Sequence, residues 1–175
     1  MVNKVECVAD SRRAKNRKVA LEEAAVTYAC MMQGRAHMKT SVGHILYVED
    51  DEDTCDLVTC VLAMHNYKVV AAENCDDAFI LARSNQFDLY LIDNWMAECS
   101  GIDLCRKLRE FDPLTPILFY SGAAYEHDKQ QAFTAGAQGY LVKPVDNDEL
   151  TEQVSRLISA AKRIAKEAAA LLSTD

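Results

Sequence analysis

The feature that most constrains this chain is an alternation. Five short apolar runs, each too brief for a helix, are separated by segments with helical spacing. The runs cover residues 44–49, 68–72, 87–93, 116–120 and 140–142. Between them, residues 54–64 place Leu57, Val58, Val61 and Leu62 on one helical face, with Asp53 or Thr54 as the expected N-cap. Helices are also expected over 76–84, over 101–111 ahead of Pro113, and over 125–135 closed by Gly136. A last, long helix runs from Asn147 to about Leu172. Strands this apolar need cover on both faces, so the sheet is parallel with helices on each side. Right-handed crossovers then give a doubly wound α/β domain.

Charge divides the chain in two. Residues 1–42 hold eight Lys/Arg and four Asp/Glu, a net +4, and residues 43–175 hold eleven and twenty-three, a net −12. A domain that acidic repels nucleic acid and anionic membrane, and suits a cation. Residues 1–42 read as a helix-prone extension, flexible or not native to the working protein, with Met38 as an alternative start. The domain proper is expected over 43–161, and residues 162–175 extend its last helix. The seven cysteines are odd in number and contain no C-x-x-C pair, which argues against a disulfide framework and a zinc ribbon. Reduced thiols and a cytoplasmic location are the expectation. The longest apolar stretch near the N-terminus, residues 24–32, is too short to span a bilayer.

In open α/β sheets, functional groups collect at the C-terminal strand ends. Strand 1 ends in Glu49-Asp50-Asp51, strand 3 in Asp93, strand 4 in Ser121-Gly122 and strand 5 in Lys143-Pro144. In the flavodoxin-like order 2-1-3-4-5, taken from known folds and not read from these residues, strands 1 and 3 are neighbours. Their carboxylates then repel unless a cation intervenes or one takes a proton. Oxygen-only ligands favour Mg²⁺. A carboxylate beside that ion is a competent nucleophile toward phosphorus. The ammonium of Lys143 and the hydroxyl of Ser121 are groups able to stabilise equatorial phosphoryl oxygens.

These residues carry a resemblance. The run I-L-Y-V-E-D-D, the run F-D-L-Y-L-I-D-N-W-M-A-E-C-S-G, the run I-L-F-Y-S-G and the run A-G-A-Q-G-Y-L-V-K-P together resemble the response-regulator receiver domain, over roughly residues 44–161. The resemblance implies that Asp93 accepts a phosphoryl group from a histidine kinase or phosphotransfer protein. It implies Mg²⁺, replaceable by Mn²⁺, held by Asp50, Asp93 and the backbone carbonyl of Trp95, with Glu49 acting mainly through water. Lys143 would pair with phosphoryl oxygens, Ser121 and Tyr140 would be the switch pair, Gly101 would be the loop glycine, and Pro144 would follow a cis peptide. The chain would be a phosphoacceptor signalling protein that assists its own phosphorylation and dephosphorylation, not an enzyme. With no output domain recognisable in the sequence, a stand-alone receiver that switches a target protein or relays the phosphoryl group is expected. Ala97 departs from the family, which often has proline there.

An alternative from another class is a Mg²⁺-dependent phosphohydrolase of the haloacid-dehalogenase type. It places its nucleophile in a D-x-D motif directly at the end of strand 1, where this chain reads Glu49-Asp50-Asp51, and it needs a cap segment, which is not recognisable in the sequence. Leu150, Val154, Leu157, Ala161, Ile164, Ala168 and Leu171 repeat in heptad steps along the last helix. Past Ala161 three readings stay open: a fraying tail, a coiled-coil homodimer contact, or docking of the N-terminal helix.

Overall fold

A computed structural model of the chain describes residues 41–172. The expected N-terminal extension lies outside the described residues, apart from 41 and 42. The chain alternates β1 (Gly43–Val48), α1 (Glu52–Met64), β2 (Tyr67–Ala72), α2 (Cys75–Ser84), β3 (Leu89–Ile92), α3 (Gly101–Phe111), β4 (Ile117–Ser121), α4 (Glu126–Ala135), β5 (Gly139–Val142) and α5 (Asn147–Leu172). The five strands form one sheet in the order β2-β1-β3-β4-β5. Every neighbouring pair is parallel. This is the flavodoxin-like, doubly wound α/β architecture.

Strand alternation sorts the core into two layers. Ile45 and Tyr47 of β1, Leu89 and Leu91 of β3, and Leu118 and Tyr120 of β4 pack with α1 and α5. Leu46, Val48, Tyr90, Ile92, Ile117 and Phe119 point the other way, against α2, α3 and α4. Both faces are covered, which explains why the central strands read as unbroken apolar runs.

The boundaries shift where a cap or ladder bond decides them. The first helix starts two residues earlier than expected, at Glu52. The carboxylate of Asp51, not Asp53 or Thr54, accepts the Thr54 N–H at 2.8 Å. The third strand is shorter than its apolar run, yet Asp93 N–H still donates to the Val48 carbonyl at 2.9 Å. Gly136 closes α4 at φ 109°, the left-handed region that favours glycine. Along α5 the heptad seam divides: Leu150, Val154 and Leu157 are buried, while Ile164, Ala168 and Leu171 are exposed.

The cysteine expectation needs correction. Cys75 and Cys99 form a disulfide with a Cα–Cα separation of 6.3 Å, whereas Cys55, Cys60 and Cys105 are free. Counting cysteines and looking for C-x-x-C missed the pair. Its members lie 24 residues apart on segments that only the sheet brings together.

At the end of the sheet away from the strand C-termini, Arg109 of α3 ties several segments. Its guanidinium donates to the carbonyls of Gly136, Asp112 and Thr115 at 3.0, 2.9 and 2.8 Å, and to Gln138 Oε1 at 2.7 Å. One rigid fork meets four acceptors, which the point charge of lysine cannot do. Arg109→Ala is expected to lower unfolding free energy by about 2–4 kcal/mol in urea titration, with Arg109→Lys recovering only part.

Candidate functional site

The carboxyl ends of β1, β3, β4 and β5 bring the chemistry together. Glu49 and Asp93 are buried, at 2% and 6% exposure, and Asp50 is exposed. One carboxylate oxygen from each of the three lies within 4.8 Å of the others. Register explains the placement: Val48 pairs with Ile92, so the residues after them, Glu49 and Asp93, emerge side by side.

Each acid has its own partner. Glu49 Oε2 accepts the Tyr47 hydroxyl at 2.7 Å and a short hydrogen bond from Lys143 Nζ. Lys143 Nζ also lies 3.5 Å from Asp93 Oδ2, so one ammonium faces two buried carboxylates. It sits 5.1 Å from the centre of the Tyr120 ring. Asp93 Oδ1 accepts the Asn94 N–H at 2.7 Å, which orients the carboxylate. Asp50 Oδ2 accepts the Ala97 N–H at 2.7 Å. Burial first, then the adjacent Glu49 carboxylate, pushes the Tyr47 phenol well above its ordinary range, so it remains a donor. Tyr47 was not singled out in the sequence. It lies two residues before Glu49 on the same strand, and that period-two spacing is the signal that could have found it.

On the β4 and β5 side, Ser121 is fully buried and its Oγ accepts the Ala123 N–H at 3.3 Å. The Tyr140 hydroxyl donates to the Ala123 carbonyl at 2.7 Å, and its ring stacks on Phe119 with centroids 5.7 Å apart. Ala123 therefore links the two side chains through one residue's backbone. Burial also raises the Tyr140 phenol. The Lys143–Pro144 peptide is cis. It follows directly on Lys143, whose N–H donates to the Ser121 carbonyl at 2.9 Å.

The loop between β3 and α3 carries Trp95, which pairs with Ser100 in an isolated antiparallel bridge and leaves its indole 61% exposed. Gly101 closes this loop. A Cβ there would fall 2.2 Å from the Asp93 carbonyl oxygen and 2.9 Å from Asn94 Cα, so only glycine lets the helix start against the backbone that bears Asp93. The donor set is three carboxylates with no nitrogen or sulfur, two of them buried. That fits a hard divalent cation of the size of Mg²⁺.

Residues 45–155 match the family model of the response regulator receiver domain. The chain belongs to the response-regulator receiver family. Receiver domains of this family act in two-component systems, and phosphorylation and Mg²⁺ binding are general to them. Among similar proteins is the transcriptional regulatory protein ZraR of Salmonella typhimurium, 32% identical over 123 residues, which are 70% of this chain and 28% of that protein. Among solved structures is response regulator protein TrrA from Thermotoga maritima in complex with Mg²⁺-BeF, with a TM-score of 0.60 and 28% identity, covering 65% of this chain and 97% of that one. A CheY-like receiver from Methanospirillum hungatei, with a TM-score of 0.68 and 24% identity, covers 70% of this chain and 98% of that one; it bears on the fold. The chain spans under two thirds of the curated relatives it matches, from 26% to 58% of their lengths.

Gly101→Ala forces backbone apart beside Asp93. It is expected to lower unfolding free energy by about 1–3 kcal/mol in thermal or urea unfolding. The amide resonances of Asp93 and Asn94 are expected to shift more than those of β5.

Proposed function

We propose that this receiver takes a phosphoryl group on Asp93 in a Mg²⁺-dependent reaction, and that the modification changes which protein partner binds it. The observation that carries the reading is Lys143 Nζ lying against both Glu49 and Asp93 at the mouth of a three-carboxylate cluster. Asp50, Asp93 and the Trp95 carbonyl would hold the cation, with Glu49 reaching it mainly through water. Once bound, the ion supplies charge neutralisation for the acids and for the incoming phosphoryl oxygens. Mn²⁺ would serve in its place.

The chain's own residues do the rest. The Asn94 N–H fixes the Asp93 carboxylate, whose free lone pairs attack phosphorus as the bond to the donor's leaving group breaks. The donor would be a phosphohistidine on a kinase or phosphotransfer protein, or a small acyl phosphate. Lys143 turns from Glu49 toward the phosphoryl oxygens. Ser121 Oγ gives up the Ala123 N–H to donate to the same group. That frees the backbone of Ala123, whose carbonyl Tyr140 holds, so the aromatic ring moves with it. The surface of α4, β5 and α5 then changes, a local charge event biasing a two-state element. ZraR is named a transcriptional regulatory protein, a role of that protein as a whole. No helix among the described residues is long and apolar enough to cross a membrane. A cytoplasmic site of action, shared with a kinase's catalytic end, fits the proposal.

Incubation with Mg²⁺ and acetyl phosphate, followed by intact-mass measurement, is expected to add one phosphoryl group. Asp93→Asn should abolish the gain, and Lys143→Ala should slow it by roughly 10²-fold. No gain from small donors or from any kinase would leave a degenerate, purely binding receiver as the better account.

The exposed half of α5 extends the proposal to self-association. Ile164, Ala168 and Leu171 continue the seam that Leu150, Val154 and Leu157 bury against the sheet. A coiled-coil homodimer covers it. Sedimentation should show dimer growing with concentration and with beryllofluoride; a monomer throughout removes this part.

A further inference from the structure

We propose that Cys75 and Cys99 form a reversible thiol–disulfide switch that sets how tightly the receiver site holds its divalent cation. The inference rests on the reading of Asp50 and Asp93 as metal ligands. Its starting point is where the bond lies. Cys75 is the first residue of α2 and is buried, while Cys99 is half-buried in the loop that links Asp93 to α3. The bond therefore ties the loop after the acceptor to the start of α2, the helix beside α3 on the same face of the sheet.

Met96 anchors that loop in the core, and its polar ties are few. Trp95 bridges Ser100, and the Gly101 N–H donates to the Asn94 carbonyl at 3.1 Å. The remaining polar tie is the Ala97 N–H on Asp50 Oδ2. Ala97 stands two residues before Cys99, and Asp50 is the one exposed member of the acid cluster. The disulfide thus holds in place the peptide that orients Asp50, together with the backbone of Trp95. Breaking it loosens residues 97–100, which follow the core anchor at Met96, releases the Ala97 N–H and lets the Asp50 carboxylate sample other rotamers. A site that must order its ligands on binding holds an ion less tightly than one already ordered.

The other described thiols do not compete for this exchange. Cys55 and Cys105 are buried, and burial pushes both thiols up, Cys105 to about 11. Cys60 is exposed but lies on α1, on the opposite face of the sheet. Cys99 borders an open cavity of about 310 Å³ shared with Asp50, Asn74 and Ala97, room for a small dithiol beside the bond. In reducing compartments a protein disulfide is usually transient and redox-sensing, not a permanent staple.

The exchange balances as follows. A thiolate of a dithiol reductant attacks Cys99 Sγ, and Cys75 leaves as a thiolate and takes up a proton. The reductant's second thiol loses its proton and attacks the mixed disulfide, releasing Cys99 as a thiolate that is then protonated. The reductant departs as a disulfide, two electrons having passed to the protein. A disulfide oxidant drives the reverse.

The test uses the full chain, air-oxidised or treated with dithiothreitol, and the Cys75→Ser/Cys99→Ser double variant. Alkylation with intact mass counts the free thiols, and MgCl₂ is titrated while the fluorescence of Trp95, the single tryptophan, is followed. Reduction is expected to raise the Mg²⁺ Kd about 3- to 10-fold, and the double variant to match the reduced form in either buffer. Equal Kd values in both redox states overturn the switch alone, as does a double variant that still responds to dithiothreitol. Alkylation of both Cys75 and Cys99 in the air-oxidised protein overturns it too. Absence of Mg²⁺ binding in both states overturns the switch together with the metal reading beneath it.

Discussion

Repulsion among three carboxylates is the constraint on which the rest of this site depends. Glu49, Asp50 and Asp93 place oxygens within 4.8 Å of one another. At the effective dielectric of a partly buried site, two unit charges at that distance repel by about 3 kcal/mol. Three such pairs approach the whole folding stability of a small domain, about 5–15 kcal/mol. The surroundings answer that cost residue by residue. Lys143 lies against two of the acids, the Tyr47 hydroxyl and the Asn94 amide each donate to one, and the Ala97 amide fixes the third. Two acids stay buried because of this, and the cluster keeps a standing demand for a doubly charged ion.

The same arrangement explains how one lysine can serve two states. In the unmodified receiver Lys143 is engaged by Glu49, which is almost fully buried and has little else to neutralise it. Any charge arriving on Asp93 redistributes that single ammonium. Ser121 and Tyr140 respond through Ala123, whose N–H and carbonyl are each bonded to one of them. A change at either side chain reaches the other through the two peptides that meet at the Ala123 Cα, so one residue's backbone couples them.

Much of this was legible in the sequence, for a physical reason. Each strand is a short apolar run, and apolarity on both faces admits only a sheet covered twice, so element order and fold class follow from pattern alone. The acids, Ser121 and Lys143 were legible because they stand at the points where those runs stop. Less legible was whatever depends on partners distant in sequence. The Arg109 fork collects carbonyls from two loops, and nothing in its local spacing marks it among the other arginines. The Cys75–Cys99 bond was misjudged for the same reason, since cysteine spacing says little once a sheet carries two segments together. The start of α1 moved because Asp51, Asp53 and Thr54 all suit a cap, and only backbone direction after β1 chooses among them.

The division of α5 has a mechanical side. Its buried half is gripped by the sheet through Leu150, Val154, Leu157 and Ile158, and past Ala161 the helix turns exposed side chains outward, with Lys162 still paired to Asp88. At 1.5 Å per residue the portion past Ala161 extends about 16 Å. A tilt of only about ten degrees at the buried end sweeps the tip by about 3 Å, roughly half the spacing between neighbouring side chains on a helix face. The projecting helix is thus a lever arm. It magnifies a rearrangement beside β5 that is small at its source into a displacement large enough to make or break the interdigitation of a partner.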